Sequence, residues 1–261
     1  MSKVELRNER GDGPPDDSLA RFQSKLRQLK SEGCNLLVVG DAPREVFTRA
    51  SASMLGDPDA RRWRVFALTD ASPESVYDRL PAASAAPRPL SETTKIVNHA
   101  LPPRPIADLA DTPASSVPEV SVGDANLTGL RTELGEAMRE FCSQSYRPAE
   151  VRVTVDSLAP LLDHYEFDVV RRFLRAVGER VYDCDAMAHY VLPRSYDSEW
   201  CRRLRPEFDA VVELRTAPED PAPEESSHDE TDQSNTGTRS HYAEERWHLP
   251  QSDTTMPWIP L

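Results

Sequence analysis

Cys34-Asn35-Leu36-Leu37-Val38-Val39-Gly40-Asp41-Ala42-Pro43-Arg44-Glu45-Val46-Phe47 is the stretch from which the fold can be read. Its opening six residues are apolar except for Asn35 and close on Gly40, the pattern of a short strand covered on both faces. Pro43 is tolerated in the first turn of a helix, and Val46, Phe47, Ala50 and Met54 then recur on one helical face. A helix over residues 43–55 therefore follows the strand at once, with Asp41 placed to cap it. Upstream, Leu19, Phe22, Leu26 and Leu29 predict an amphipathic helix over residues 18–30 that stops at Gly33.

Downstream the alternation continues. Strands are expected at residues 64–69, 94–98, 151–156, 187–192 and 208–214, with helices between them marked by Leu127, Leu130, Leu134, Met138 and Phe141, and by Phe167, Val170, Leu174, Val177 and Val181. Short apolar strands separated by helices predict an α/β fold, three layers deep (α-β-α), around a mainly parallel central sheet. Residues 1–16 are polar and acidic and read as a disordered start; residues 17–215 form the α/β domain. Residues 99–125, with Pro102, Pro103, Pro105, Pro113 and Pro118, read as a long exposed loop within it. Residues 216–243 are dense in Glu, Asp, Pro, Ser and Thr and read as a disordered acidic linker, after which Trp247, Trp258 and Ile259 predict that residues 244–261 dock back on the domain.

Composition narrows the function. Forty-four Asp and Glu against 31 Lys and Arg give a net charge of −13, which repels nucleic-acid backbones and anionic membrane surfaces. Lysine occurs only at positions 3, 25, 30 and 95, an acidic and Lys-poor balance that suits a protein hydrated in strong salt. No apolar run approaches the roughly 20 residues that span a bilayer, and Cys34, Cys142, Cys184 and Cys201 lie far apart, so reduced thiols in a cytoplasmic protein are expected. The same spacing argues against structural zinc, and no nucleophile motif surrounds any serine or cysteine, so neither catalytic residues nor a metal site are assigned. Asp163 and His164, with Asp183 and Asp185, are adjacent rather than paired at ligand spacing. Arg171-Arg172-Phe173-Leu174-Arg175 reads either as a docking face for an acidic partner or as the solvated side of a helix.

The order of elements, with Leu36-Leu37-Val38-Val39-Gly40 before a helix and Val153-Thr154-Val155-Asp156-Ser157-Leu158 much later, resembles the RecA/KaiC-type P-loop ATPases. The wording of residues 33–51, 88–100 and 155–165, and of the closing RWHLP and PWIPL, is similar to an uncharacterised family of haloarchaeal proteins of unknown function near the KaiC-like ATPases. The resemblance implies a nucleotide site at Gly40, Asp41, Arg44 and Asp156, with Asp156 in the position of the acid that orients water around Mg²⁺. A P-loop, G-x-x-x-x-G-K-[ST], wraps phosphate with backbone N–H groups, neutralises it with Lys and holds the metal through a hydroxyl. Counted from Gly40, those last three places hold Glu45, Val46 and Phe47.

The loop is thus degenerate, and Asp41 at the helix start would supply an anion of the protein's own. Arg44 is the one residue there able to attract phosphate, unless it is solvated surface; Asp156 could equally cap the helix after it, and His99 could accept a proton at a neighbouring strand end. Two functions follow. One is a non-catalytic RecA/KaiC-like regulatory or signalling scaffold, with no cofactor, that binds protein partners or itself. The other is an unconventional ATP- and Mg²⁺-binding protein that relies on Arg44 and Asp156.

Overall fold

A computed structural model of the chain describes residues 16–57, 59–70, 73–82, 84–99, 117–123, 126–217, 243–250 and 254–261. The first helix, α1 (Asp16–Glu32), enters β1 (Cys34–Gly40), every residue of which is buried, and β1 leads through three residues into α2 (Arg44–Met54). There follow β2 (Trp63–Leu68), a 3-10 turn over Pro73–Arg79, the single-turn α3 (Leu90–Thr93) and β3 (Thr94–His99). Next come β4 (Glu119–Val122), α4 (Thr128–Cys142), β5 (Val151–Asp156), α5 (Leu158–His164), α6 (Phe167–Asp183) and β6 (Met187–Leu192). The chain closes with α7 (Glu199–Leu204), a 3-10 turn over Arg205–Glu207, β7 (Ala210–Thr216), β8 (Ala243–Leu249), β9 (Thr254–Thr255) and β10 (Ile259–Pro260).

The ten strands among the described residues form one mostly parallel, mixed sheet in the order β10-β8-β7-β1-β6-β5-β2-β3-β4, with β9 also paired to β8. Every pair from β7 to β4 is parallel, and β8 runs antiparallel to β7 and to β9 and β10. Side chains alternate across the sheet, so each strand serves two cores. On one face Leu37, Val39, Val153, Val155 and Tyr190 pack under α4, α5, α6 and α7. On the other, Val38, Val191 and Val212 meet Val46, Phe47 and Ala50 of α2, while Cys34 and Leu36 meet Phe22 and Leu29 of α1. Phe66, Leu68 and Ile96 pack there against Leu55 and Val76. The fold is accordingly α/β, with helices on both faces of the sheet.

Three expectations need correction. The stretch expected to be loop across residues 99–125 yields β4, which pairs in parallel with β3, and Val117 just before it is buried among Phe66, Leu68 and Ile96. Proline density hid a strand only four residues long at the sheet's edge, where fewer partners constrain the sequence. Residues 100–116 and 124–125 lie outside the described residues, as do 1–15 and the greater part of the acidic stretch, 218–242.

The cysteines are not all thiols. Cys142, the last residue of α4, is bonded to Cys184, which caps α6, with a Cα–Cα separation of 5.6 Å. The pair is invisible in the sequence because 42 residues separate partners that only helix packing brings together. Cys34 and Cys201 stay free and buried. Third, Asp41 is not the cap: the residue preceding α2 is Pro43, which makes no side-chain cap bond, and Asp41 is exposed. The basic run of α6 forms its solvated side, since Arg171 pairs with Asp168 and Arg175 with Glu207, while Phe173 and Leu174 are buried. No described helix is long and apolar enough to cross a membrane.

Candidate functional site

Parallel strands align their carboxyl ends, and in open α/β sheets the crevice there is where ligands bind. β1 ends at that edge with Gly40 and β5 with Asp156, one strand apart across β6. At this edge α2 leaves β1 over one face while α5 leaves β5 over the other. Asp156 points to the α2 side, in register with Val191, and is 1% exposed.

A bare carboxylate so deeply buried would be costly, and two arginines neutralise it. Arg44, from the first turn of α2, grips it side by side, Nη1 donating to Oδ1 at 2.9 Å and Nη2 to Oδ2 at 2.6 Å. Arg79, at the end of the 3-10 turn after β2, pairs with Oδ2 as well, its side chain only 1% exposed. Burial lowers the pKa of Arg79, partly offset by the charge of Asp156. Its Nε and Nη1 have no partner among the described residues.

A hydrogen-bonded rim surrounds the pair. Ser157 donates from its backbone N–H to Thr69 Oγ1 at 2.8 Å, Thr69 Oγ1 donates back to the Ser157 carbonyl at 2.5 Å, and Ser157 Oγ donates to Asp70 at 2.8 Å. Asp70 lies 3.9 Å from Arg44 as well. Beneath α2, Ser51 Oγ and His189 Nε2 are 2.8 Å apart, and burial, with the charges of Arg79 and Arg152, pushes His189 down to about 3. His189 is therefore neutral at ordinary pH.

The geometry of Gly40 explains why glycine stands there without invoking phosphate. Its φ is +149°, and a Cβ would strike the carbonyl oxygen of Leu214 on β7. Its N–H donates to the Arg194 carbonyl at 2.9 Å and so is already used. Only Asp41, Ala42 and Pro43 connect β1 to α2, too short a span for a phosphate-wrapping loop. Glu45 is exposed, whereas Val46 and Phe47 are 2% and 3% exposed in the core.

Of the four residues expected at the site, the fold joins Arg44 directly to Asp156, sets Gly40 against β7, and leaves Asp41 in solvent at the same edge. Asp156 does not cap α5; Ser157 occupies that position. Arg44 is not free surface either. His99 belongs elsewhere, since it is buried on the opposite face of the sheet, 2.9 Å from the Tyr165 hydroxyl. Arg79, Asp70, Thr69 and Ser157 were not foreseen as site residues, and Arg79 follows no motif that could have flagged it. The buried thiols offer no nucleophile, because burial raises Cys34 to about 12 and Cys201 to about 11.

No curated protein matches the sequence. Residues 33–214, the span from β1 to β7 that builds this edge, match the sequence model of a family described as a family of unknown function, DUF7504. The match takes in most of the chain, and the protein belongs to that family.

Proposed function

We propose that this protein is a non-catalytic RecA/KaiC-like scaffold, regulatory or signalling in role, that works through contacts with protein partners or with itself rather than by turning over ATP. The observation that carries the reading is the double arginine clamp on Asp156. In the ATPases this chain resembles, the equivalent acid must face Mg²⁺ and its waters, and cations already on both carboxylate oxygens compete with a metal for them. The three-residue β1–α2 connection and the engaged Gly40 N–H support the same reading, since so short a connection cannot wrap a triphosphate and Gly40 has no N–H left to give it.

One feature favours the second reading, an unconventional nucleotide site. The Arg44 side chain is 40% exposed and sits at the helix start, where it could exchange Asp156 for a phosphate and release the acid to a metal. Both readings meet in one experiment: thermal unfolding and ATP hydrolysis in high salt, with and without Mg-ATP. A ligand that binds only the folded state at ten times its Kd stabilises by about 1.4 kcal/mol, a rise of about 2–4 °C for a domain of this size. No shift and no hydrolysis are expected. A Mg-ATP-dependent shift that Asp156→Ala abolishes would replace the scaffold reading with the second one.

A further inference from the structure

At the amino-terminal end of the same face, opposite the Asp156 edge, arginines gather with no acid paired to them among the described residues. Arg64 of β2 and Arg152 of β5 are direct cross-strand partners, 3% and 6% exposed, and Arg62 lies beside them. Like charges placed opposite each other on neighbouring strands repel, and burial sharpens the repulsion. Both Arg64 and Arg152 are lowered to about 10, chiefly by burial, and so keep their charge at neutral pH. Elsewhere the chain supplies counter-ions: Arg79 has Asp156, Arg175 has Glu207, Arg215 has Glu244 and Arg246 has Glu213. Here, among the described residues, no carboxylate pairs with Arg62, Arg64 or Arg152, although acids outnumber bases 44 to 31 over the whole chain.

The unused donors have a geometry. Arg64 leaves Nε and Nη2 unpartnered, the adjacent pair along one edge of the guanidinium that grips two oxygens at once. Nε of Arg62 and of Arg152 are unpartnered too, while Arg62 Nη1 is spent on the Arg61 carbonyl and Arg152 Nη1 on the Met54 carbonyl. Thr94, level with Arg64 on β3, is fully buried with its hydroxyl unpartnered. A narrow pocket lined by Arg61, Arg62, Arg64, Arg88 and Thr93 opens onto Arg62 and Arg64, with Arg152 and Thr94 behind its wall.

We propose that Arg62 and Arg64, backed by the charge of Arg152, form a binding site for a compact tetrahedral oxyanion of the phosphate or sulfate class, entered past Arg88. Two parallel N–H groups on Arg64 match two oxygens of such an ion, and a dianion offsets the charge of three guanidinium groups better than a halide can. The pocket as it stands holds no more than about one water, so an ion enters only as the exposed Arg88 side chain swings aside, and a nucleotide is excluded. This site is separate from the Asp156 edge and does not depend on the function proposed there.

The test is thermal unfolding of the full chain without magnesium, at constant ionic strength, with chloride exchanged for inorganic phosphate, sulfate or glycerol phosphate. Saturable stabilisation at millimolar phosphate or sulfate is expected, about 2–4 °C at ten times Kd. Generic salting effects of these ions do not saturate and survive mutation. Arg64→Met should abolish the shift while being at least as stable as the wild type in chloride, because it removes a buried charge that lacks a counter-ion. Arg88→Ala, at the exposed mouth, should weaken the response without disturbing the fold. Asp156→Asn should leave it intact. Glycerol phosphate acting as well as phosphate would identify an esterified phosphoryl group as an accepted ligand, and its failure would restrict the site to the free ion. Absence of any shift beyond chloride, or a full shift retained in both Arg64→Met and Arg88→Ala, overturns the proposal.

Discussion

Cutting the clamp at Asp156 separates a sealed ionic plug from a retained ligand site. Asp156→Ala would strand Arg79, whose side chain is 1% exposed, as a buried cation without a partner. Breaking a buried pair in that way costs about 3–5 kcal/mol. Arg44→Ala leaves Asp156 still paired with Arg79, and Arg44 is 40% exposed, so solvent screening holds its cost to about 1 kcal/mol or less. With a urea slope of about 2–3 kcal/mol per molar, Asp156→Ala should lower the unfolding midpoint by about 1–2 M, and Arg44→Ala by less than about 0.5 M. Adding Arg79→Met to Asp156→Ala should recover much of the loss, because it removes the stranded charge. Equilibrium urea unfolding followed by tryptophan fluorescence and by circular dichroism measures all three. Asp156→Ala as stable as the wild type, or more so, refutes the reasoning, since acids kept for a ligand tend to stabilise a fold when removed.

His189, pushed to about 3 by burial, must take up a proton on unfolding in acid. Because its folded pKa lies below the unfolded value near 6.5, its contribution is complete above that value and is lost as pH falls through the window down to about 3. Stability should drop by about 2 kcal/mol between pH 7 and pH 5 from this group, and His189→Gln should flatten that slope in urea titrations at stepped pH. Closing a loop across a sequence separation of 42, the Cys142–Cys184 bond should contribute about 4 kcal/mol through the unfolded chain. Reductant, or Cys142→Ser with Cys184→Ser, should then lower the melting temperature by about 8–16 °C, whereas Cys34→Ala with Cys201→Ala should not remove this response to reductant; equal melting with and without reductant would contradict the cystine.

Local patterns in the sequence decided a good deal here. The apolar run from Cys34 to Gly40 can be satisfied only by burial on both faces, and Pro43 with the spacing of Val46, Phe47 and Ala50 admits little but a helix after it. Those constraints act over a few residues, so strand, turn and helix were legible, and with them the shared carboxyl edge that holds Gly40 and Asp156. What a residue meets across that edge is not a local property. Arg44 and Asp156 are 112 residues apart in the chain, Cys142 and Cys184 are 42, and Arg64 finds Arg152 only because β5 inserts beside β2. Charge in the sequence therefore said that arginines and acids were present. Only the sheet order decided that one acid would be held by two arginines at one end of a face, while three arginines at the other end would find no acid among the described residues.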